Sequence, residues 1–336
     1  MPKVEKNVVK HGEKLFDTQE EPMPRGAWWW WFWMFYFNNP DDPDKPRQLM
    51  ILWSTKNVKT IDCNGLEINI KRPLDRKNLD GAVAAWYFDG RKMHHNFLLE
   101  QCNIKVKDYG IFTDSDPETS FVIGEDRHIV KIGDDFEFIA EPRDDHEFVM
   151  PSYHANTFVG SKGYGITKIN RLDLGGKVHG EPINGSAYFQ RVFVSAPAVP
   201  WYWGSFHFAN GGVLTYTNQM VLGKAIKKNV SFFDGKQLHE LGDVTVKRLG
   251  GELPEFRVTS KTEDAEIAFT VKAYAHSSWT FRKKSLGVLP NKLVYNEYPS
   301  TITDFQFRDK KSGRRLLLGD LGKSVGNAEH TTGYLL

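Results

Sequence analysis

Only two cysteines, Cys63 and Cys102, occur in 336 residues. That is too few for a disulfide scaffold and fits a reducing compartment. No run of about 18 apolar residues exists, so no helical membrane span is expected. Residues 1–16 are charged and lack an apolar core, so they do not read as a secretion signal. Together these features make the cytoplasm the expected location. Neither sign of charge dominates: 44 basic residues stand against 42 acidic ones. That balance leaves no footprint for nucleic acid, and clusters such as Arg282-Lys283-Lys284 read as solvated turns. Helical periodicity is scarce, with 220–228 the best short candidate.

Catalytic and metal motifs are also scarce. No G-x-S-x-G, H-E-x-x-H or C-x-x-C is present. Gly319-Asp320-Leu321-Gly322-Lys323-Ser324 ends like a phosphate loop, but Leu317 stands where the pattern needs glycine. His94 and His95 are adjacent, and on a strand adjacent side chains face opposite ways. No metal site is therefore assigned.

Aromatic side chains, by contrast, are concentrated. Residues 28–37 read Trp-Trp-Trp-Trp-Phe-Trp-Met-Phe-Tyr-Phe, with five of the chain's ten tryptophans. Aromatic residues favour strands, whose side chains alternate between faces. The run therefore predicts a strand that is apolar on both faces and needs two apolar neighbours. Elsewhere, turn signals such as Asn64-Gly65, Asp89-Gly90, Asn210-Gly211-Gly212 and Asp234-Gly235 separate short runs rich in aromatic and β-branched residues. These runs include 48–54, 82–88, 97–106, 136–140, 188–194, 201–208, 213–218 and 266–273. The pattern predicts an all-β fold of sandwiches or barrels. Similar strand–turn–strand units in both halves point to two related domains, divided at 1–170 and 171–336 within the Gly-rich segment 160–176. A second candidate boundary lies at 197–200.

Three blocks together carry a resemblance. They are Trp28-Trp29-Trp30-Trp31-Phe32 after Pro24-Arg25-Gly26; Gly185-Ser186-Ala187-Tyr188 with Pro200-Trp201-Tyr202-Trp203-Gly204-Ser205-Phe206-His207-Phe208; and Gly326-Asn327-Ala328-Glu329-His330-Thr331-Thr332-Gly333-Tyr334. In this order the chain resembles the carotenoid 1,2-hydratase (hydroxyneurosporene synthase)/AttH-like superfamily and the related fungal Diels–Alderase-type cyclases. The resemblance implies two tandem lipocalin-like antiparallel β-barrel or sandwich domains with an apolar ligand cavity. It also implies a long isoprenoid or polyene substrate and no cofactor. Hydratase-like members tend to carry an Asp-His pair after the Gly-Ser-Ala-Tyr block, and here the positions read Phe189-Gln190-Arg191-Val192.

Hydration of a double bond needs an acid that holds its proton near neutral pH, and an aromatic wall to stabilise the cation. With Gln190 unable to act as an acid, the candidates are Glu329, Glu297 and Asp304, with His207 as acid or base. Strand alternation puts Trp201, Trp203, Ser205 and His207 on one face, and Tyr216 and Asn218 share a face of the next strand. The ligand-binding set is Trp28, Trp30, Trp201, Trp203, Tyr188, Gln190, Arg191, Tyr216, Asn218 and Tyr298. Arg191 is a candidate ion-pair partner for the two glutamates, whose burial is costly unless paired. Three functions compete. The first is a hydratase or cyclase-like enzyme acting on a hydrophobic small molecule, met through transient contact with membrane-held lipid. The second is a non-catalytic carrier of the same ligand. The third is a carbohydrate binder with exposed tryptophans.

Overall fold

The computed structural model describes residues 24–70, 77–124, 126–159, 162–283 and 291–335. Residues 1–16, Lys284 and Gly160, used in the sequence reading, lie outside them. In chain order the strands of the first half are β1 (Trp28–Phe37), β2 (Arg47–Lys56), β3 (Thr60–Cys63), β4 (Leu66–Asn69), β5 (Asn78–Phe88), β6 (Met93–Lys107), β7 (Gly110–Thr113), β8 (Thr119–Ile123), β9 (His128–Ile132), β10 (Phe136–Pro142), β11 (Ser152–Val159), β12 (Lys162–Val178), β13 (Glu181–Pro182) and β14 (Gly185–Val194). There follow β15 (Trp201–Phe208), β16 (Val213–Val221), β17 (Lys224–Phe233), β18 (Leu238–Leu241), β19 (Thr245–Leu249), β20 (Glu255–Lys261), β21 (Ala265–Ala273), β22 (Ser277–Arg282), β23 (Lys292–Asp309), β24 (Arg315–Leu317) and β25 (Ser324–Tyr334). Helix is confined, among the described residues, to the turn Leu318–Leu321. The all-β expectation holds.

Two sheets hold these strands. The first runs β10-β9-β8-β7-β6-β5-β2-β1-β14-β12, and pairing of β10 with β12 closes it into an antiparallel barrel. The 17-residue β12 slips register against β14 between Ile169 and Leu172, just before the segment that pairs with β10. Such an irregularity bends a strand. Gly176 lies on the closing seam opposite Phe138, where a Cβ would sit 2.0 Å from the Glu137 carbonyl oxygen. The second sheet runs β18-β17-β16-β15-β25-β23-β21-β20-β19. Sheet membership changes between Val194 and Trp201, so residues 171–194 complete the first barrel. The β3–β4 hairpin crosses the other way and joins the second sheet through β22.

The 220–228 helix does not form. Leu222 and Gly223, with φ of 48° and 76°, make a tight turn joining β16 to β17. A hairpin turn of this kind requires positive φ and matches the twist of paired strands.

Strand β1 is apolar on both faces, as the sequence requires. Trp29, Trp31, Trp33, Phe35 and Phe37 fill the barrel. Trp28, Phe32, Met34 and Tyr36 point outward into a separate apolar layer with Trp86, Tyr188, Trp279 and Leu293, against which Trp30, Trp201 and Trp203 pack. That layer lies between the sheets. No tryptophan is exposed, so the open row of rings expected of a carbohydrate binder is not found on the surface.

The two faces of β1 differ in what their loss should cost. Trp33 is fully buried, with Phe189 and Phe121 rings 4.8 and 5.0 Å away, whereas Trp30 is half-buried. In urea denaturation, Trp33→Ala is expected to lose about 3–5 kcal/mol, and Trp30→Ala much less. Equal losses would contradict the assignment of faces.

Candidate functional site

A cavity of about 1760 Å³ opens in the layer between the sheets. It exceeds the roughly 300–1,000 Å³ of ordinary small-molecule sites. One wall is the outward face of the barrel: Trp28, Trp30 and Phe32 of β1, Met50 and Leu52 of β2, and Tyr188, Gln190 and Val192 of β14. The opposite wall comes from the second sheet: Trp201 and Trp203 of β15, Thr215 and Thr217 of β16, Tyr295 of β23 and Glu329 of β25. Along β1, β14 and β15 the lining residues alternate, because the cavity takes one face of each of these strands.

The acid sits where β23 and β25 run side by side. Glu297 and Glu329 are direct cross-strand partners, which places their Cβ atoms about 4.5–5.5 Å apart on one face. Glu329 reaches the cavity. Its Oε1 accepts a hydrogen bond from the Tyr295 hydroxyl at 2.5 Å, and its Oε2 accepts one from the Trp201 indole at 2.9 Å. Glu297 lies behind it, fully buried. Glu297 Oε2 accepts from the Trp86 indole at 2.5 Å, and Oε1 has no hydrogen-bond partner.

Burial raises both carboxyls. Glu329 is pushed up to about 7 by desolvation, against the lowering effect of its two hydrogen bonds. Glu297 is also raised well above its usual value, first by desolvation and then by the charge of Glu329. Two carboxylates this close in an apolar layer do not both ionise at neutral pH. The pair therefore retains a proton beside the cavity. The same layer raises the phenols of Tyr36 and Tyr295, again mainly through desolvation.

The other residues read from the sequence divide by strand face. Trp28, Trp30, Trp201, Trp203, Tyr188 and Gln190 line the cavity. Tyr188 donates to Gln190 Oε1 at 3.1 Å, and its ring meets Trp203 at 5.3 Å. Arg191 lies opposite Trp31 on the barrel-interior side of β14. It is not among the groups shifting either glutamate, so indole and phenol donors take the place of the expected ion pair.

Tyr216 and Asn218 do not meet the Trp201–Trp203 row. They pair in register with Gly204 and Tyr202, while Thr217 and Gln219 oppose Trp203 and Trp201. Tyr216 and Tyr298 belong to the core of the second sheet. Tyr216 packs over Gly204, where a Cβ would lie 2.4 Å from its ring. Asp304 is exposed and does not line the cavity. His207 is buried and does not itself line the cavity. Its Nε2 donates to the Asn170 carbonyl at 2.8 Å, and its Nδ1 accepts from Ser186 at 2.7 Å. Burial, aided by Arg171, holds it well below its usual pKa and neutral.

Tyr295 and Trp86 escaped the sequence reading. Tyr295 was detectable, because it lies two residues from Glu297 and so shares its face. Trp86 comes from a strand 211 residues away, and no local pattern links it to Glu297.

No family model matches the chain, and no curated protein matches it by sequence. Among solved structures, CghA with Sch210972 is similar at 8% identity and a TM-score of 0.48, over 92% of this chain and 88% of the other. The outer membrane protease OmpT from Escherichia coli reaches 10% identity and a TM-score of 0.13, over 92% of each chain. At these values the chemistry is read from the cavity itself.

The raised carboxyls have a signed consequence for stability. A carboxyl whose folded pKa lies above its unfolded value near 4.5 binds more protons folded than unfolded. Its contribution is complete at low pH and is lost as pH rises through that window. Glu297→Gln keeps an acceptor for Trp86 without the titration. The melting temperature of the variant relative to the parent should climb between about pH 5 and 8. A constant difference would contradict the retained proton.

Proposed function

We propose that this chain is a cofactor-independent enzyme that binds a long unsaturated hydrocarbon, an isoprenoid or polyene, between its sheets and acts on it by proton donation from Glu329. One observation carries the reading. A carboxyl whose pKa is raised to about 7 faces a cavity walled largely by indole, phenyl and aliphatic groups. General acids work best when their pKa lies near the working pH.

Hydration is the simplest reaction this geometry supports. Glu329 gives its proton to one alkene carbon, and the electron pair of the π bond forms the new C–H bond. The positive charge left on the neighbouring carbon is stabilised by the faces of nearby aromatic rings, Trp201 and Trp203 among them. Water adds to that carbon, and the Glu329 carboxylate takes back a proton from it. Tyr295 and Trp201 orient the carboxyl, and its burial opposes its ionisation. A cyclisation would use the same acid as a hydrogen-bond donor to a polarised substrate. The resemblance to hydratases and Diels–Alderase-type cyclases supports this pair of reactions.

The second reading is a non-catalytic carrier. Gln190 favours it: it lines the cavity at a position where hydratase-like members tend to carry an acid, and its amide donates no such proton.

The test is extraction of bound ligand from the purified protein, mass spectrometry, and incubation of that ligand and close analogues with fresh protein. Catalysis predicts gain of one water, or isomerisation at constant mass. Glu329→Gln should lower turnover by about 100-fold or more while ligand still binds. Unchanged ligand with every analogue supports the carrier and contradicts the enzyme.

A further inference from the structure

One cavity group has no part in that chemistry. Lys56 ends β2, is only 5% exposed, and lines the cavity beside Trp28. Its Nζ donates to the Gly26 carbonyl at 2.9 Å and stands 4.7 Å from the centre of the Trp28 ring. A carbonyl and a ring face each offer partial negative charge, and neither is a counter-ion. Among the described residues no carboxylate forms an ion pair with Lys56. The charged group acting on it is Lys283, of like sign, and burial with Lys283 brings its pKa down to about 7.

The other lysines of the cavity wall stand differently: Glu240 acts on Lys168, Lys228 pairs with Asp243 at 3.5 Å, and Lys227, bonded to the neutral Tyr164 hydroxyl at 2.8 Å, is only half-buried. A buried ammonium without an anion is costly. It has three donors, and Gly26 takes one.

We propose that Lys56 anchors a carboxylate, so that the ligand is an amphiphile: a long unsaturated chain with an acidic head. The head would supply a counter-charge that no described residue provides, in a low-dielectric setting where such a pair is strong. The chain would run from Lys56 on the first sheet toward Glu329 on the second, with the aromatic wall between. This inference rests on the proposed binding of an apolar chain and adds its polar end.

The experiment uses retinoic acid and retinol, which share a polyene chain and differ in the head, titrated against tryptophan fluorescence. The unmodified protein should bind the acid at least about tenfold tighter than the alcohol, the scale of one hydrogen bond to a charged group. Lys56→Met should remove that preference by weakening the acid and leaving retinol unchanged, which also reports that the cavity is intact. Lys56→Arg should keep it. Equal affinities in the unmodified protein, or a preference that survives in Lys56→Met, overturn the anchor while leaving the apolar site standing. Binding of neither compound overturns both.

Discussion

A strand that must bury both of its faces governs this molecule. In an ordinary antiparallel barrel the outer face of a strand meets water and is polar. The outer face of β1 is Trp28, Trp30, Phe32, Met34 and Tyr36, and water is a poor neighbour for it. A second sheet has to lie against the barrel there, and it brings Trp201, Trp203 and Trp279 to do so. The barrel, the layer and the cavity are three consequences of one stretch of sequence. Toward Tyr36 the layer holds His207, bonded to the Ser186 hydroxyl and the Asn170 carbonyl. Toward Trp28 it opens into the cavity.

The same constraint sets the electrostatics. A layer dry enough to receive indole rings is a poor solvent for charge, so carboxyls placed in it keep their protons and a lysine there is pressed to lose its own. Glu297 and Glu329 make this explicit: their hydrogen bonds come from neutral indole and phenol groups, which favour the carboxylate only modestly. Desolvation wins in both. A cationic partner would have reversed the outcome, which is why the side of β14 that Arg191 occupies matters.

Much of the fold was legible because strand periodicity is local. The two-faced character of β1, the hairpin of β15 and β16 and the shared face of Trp201 and Trp203 all follow from alternation and turn residues. The cross-strand register of that hairpin did not follow. It moved Tyr216 and Asn218 to the core face, because a one-residue offset exchanges faces. Glu329 was legible as a carboxyl in an aromatic setting, while its pairing with Glu297 depends on the register of β23 against β25. Closure of the barrel was hidden, since it depends on β10 meeting β12, a pairing that no local signal marks.

The central claim is that the carboxyl pair beside the cavity, Glu329 with Glu297 behind it, keeps a proton at neutral pH. Infrared difference spectroscopy between the parent protein and Glu329→Gln reads this directly through the C=O stretch of a protonated carboxylic acid. The account predicts such a band at neutral pH, absent or shifted in the variant and fading as pH is raised. A spectrum in which the substitution removes only carboxylate bands would contradict it.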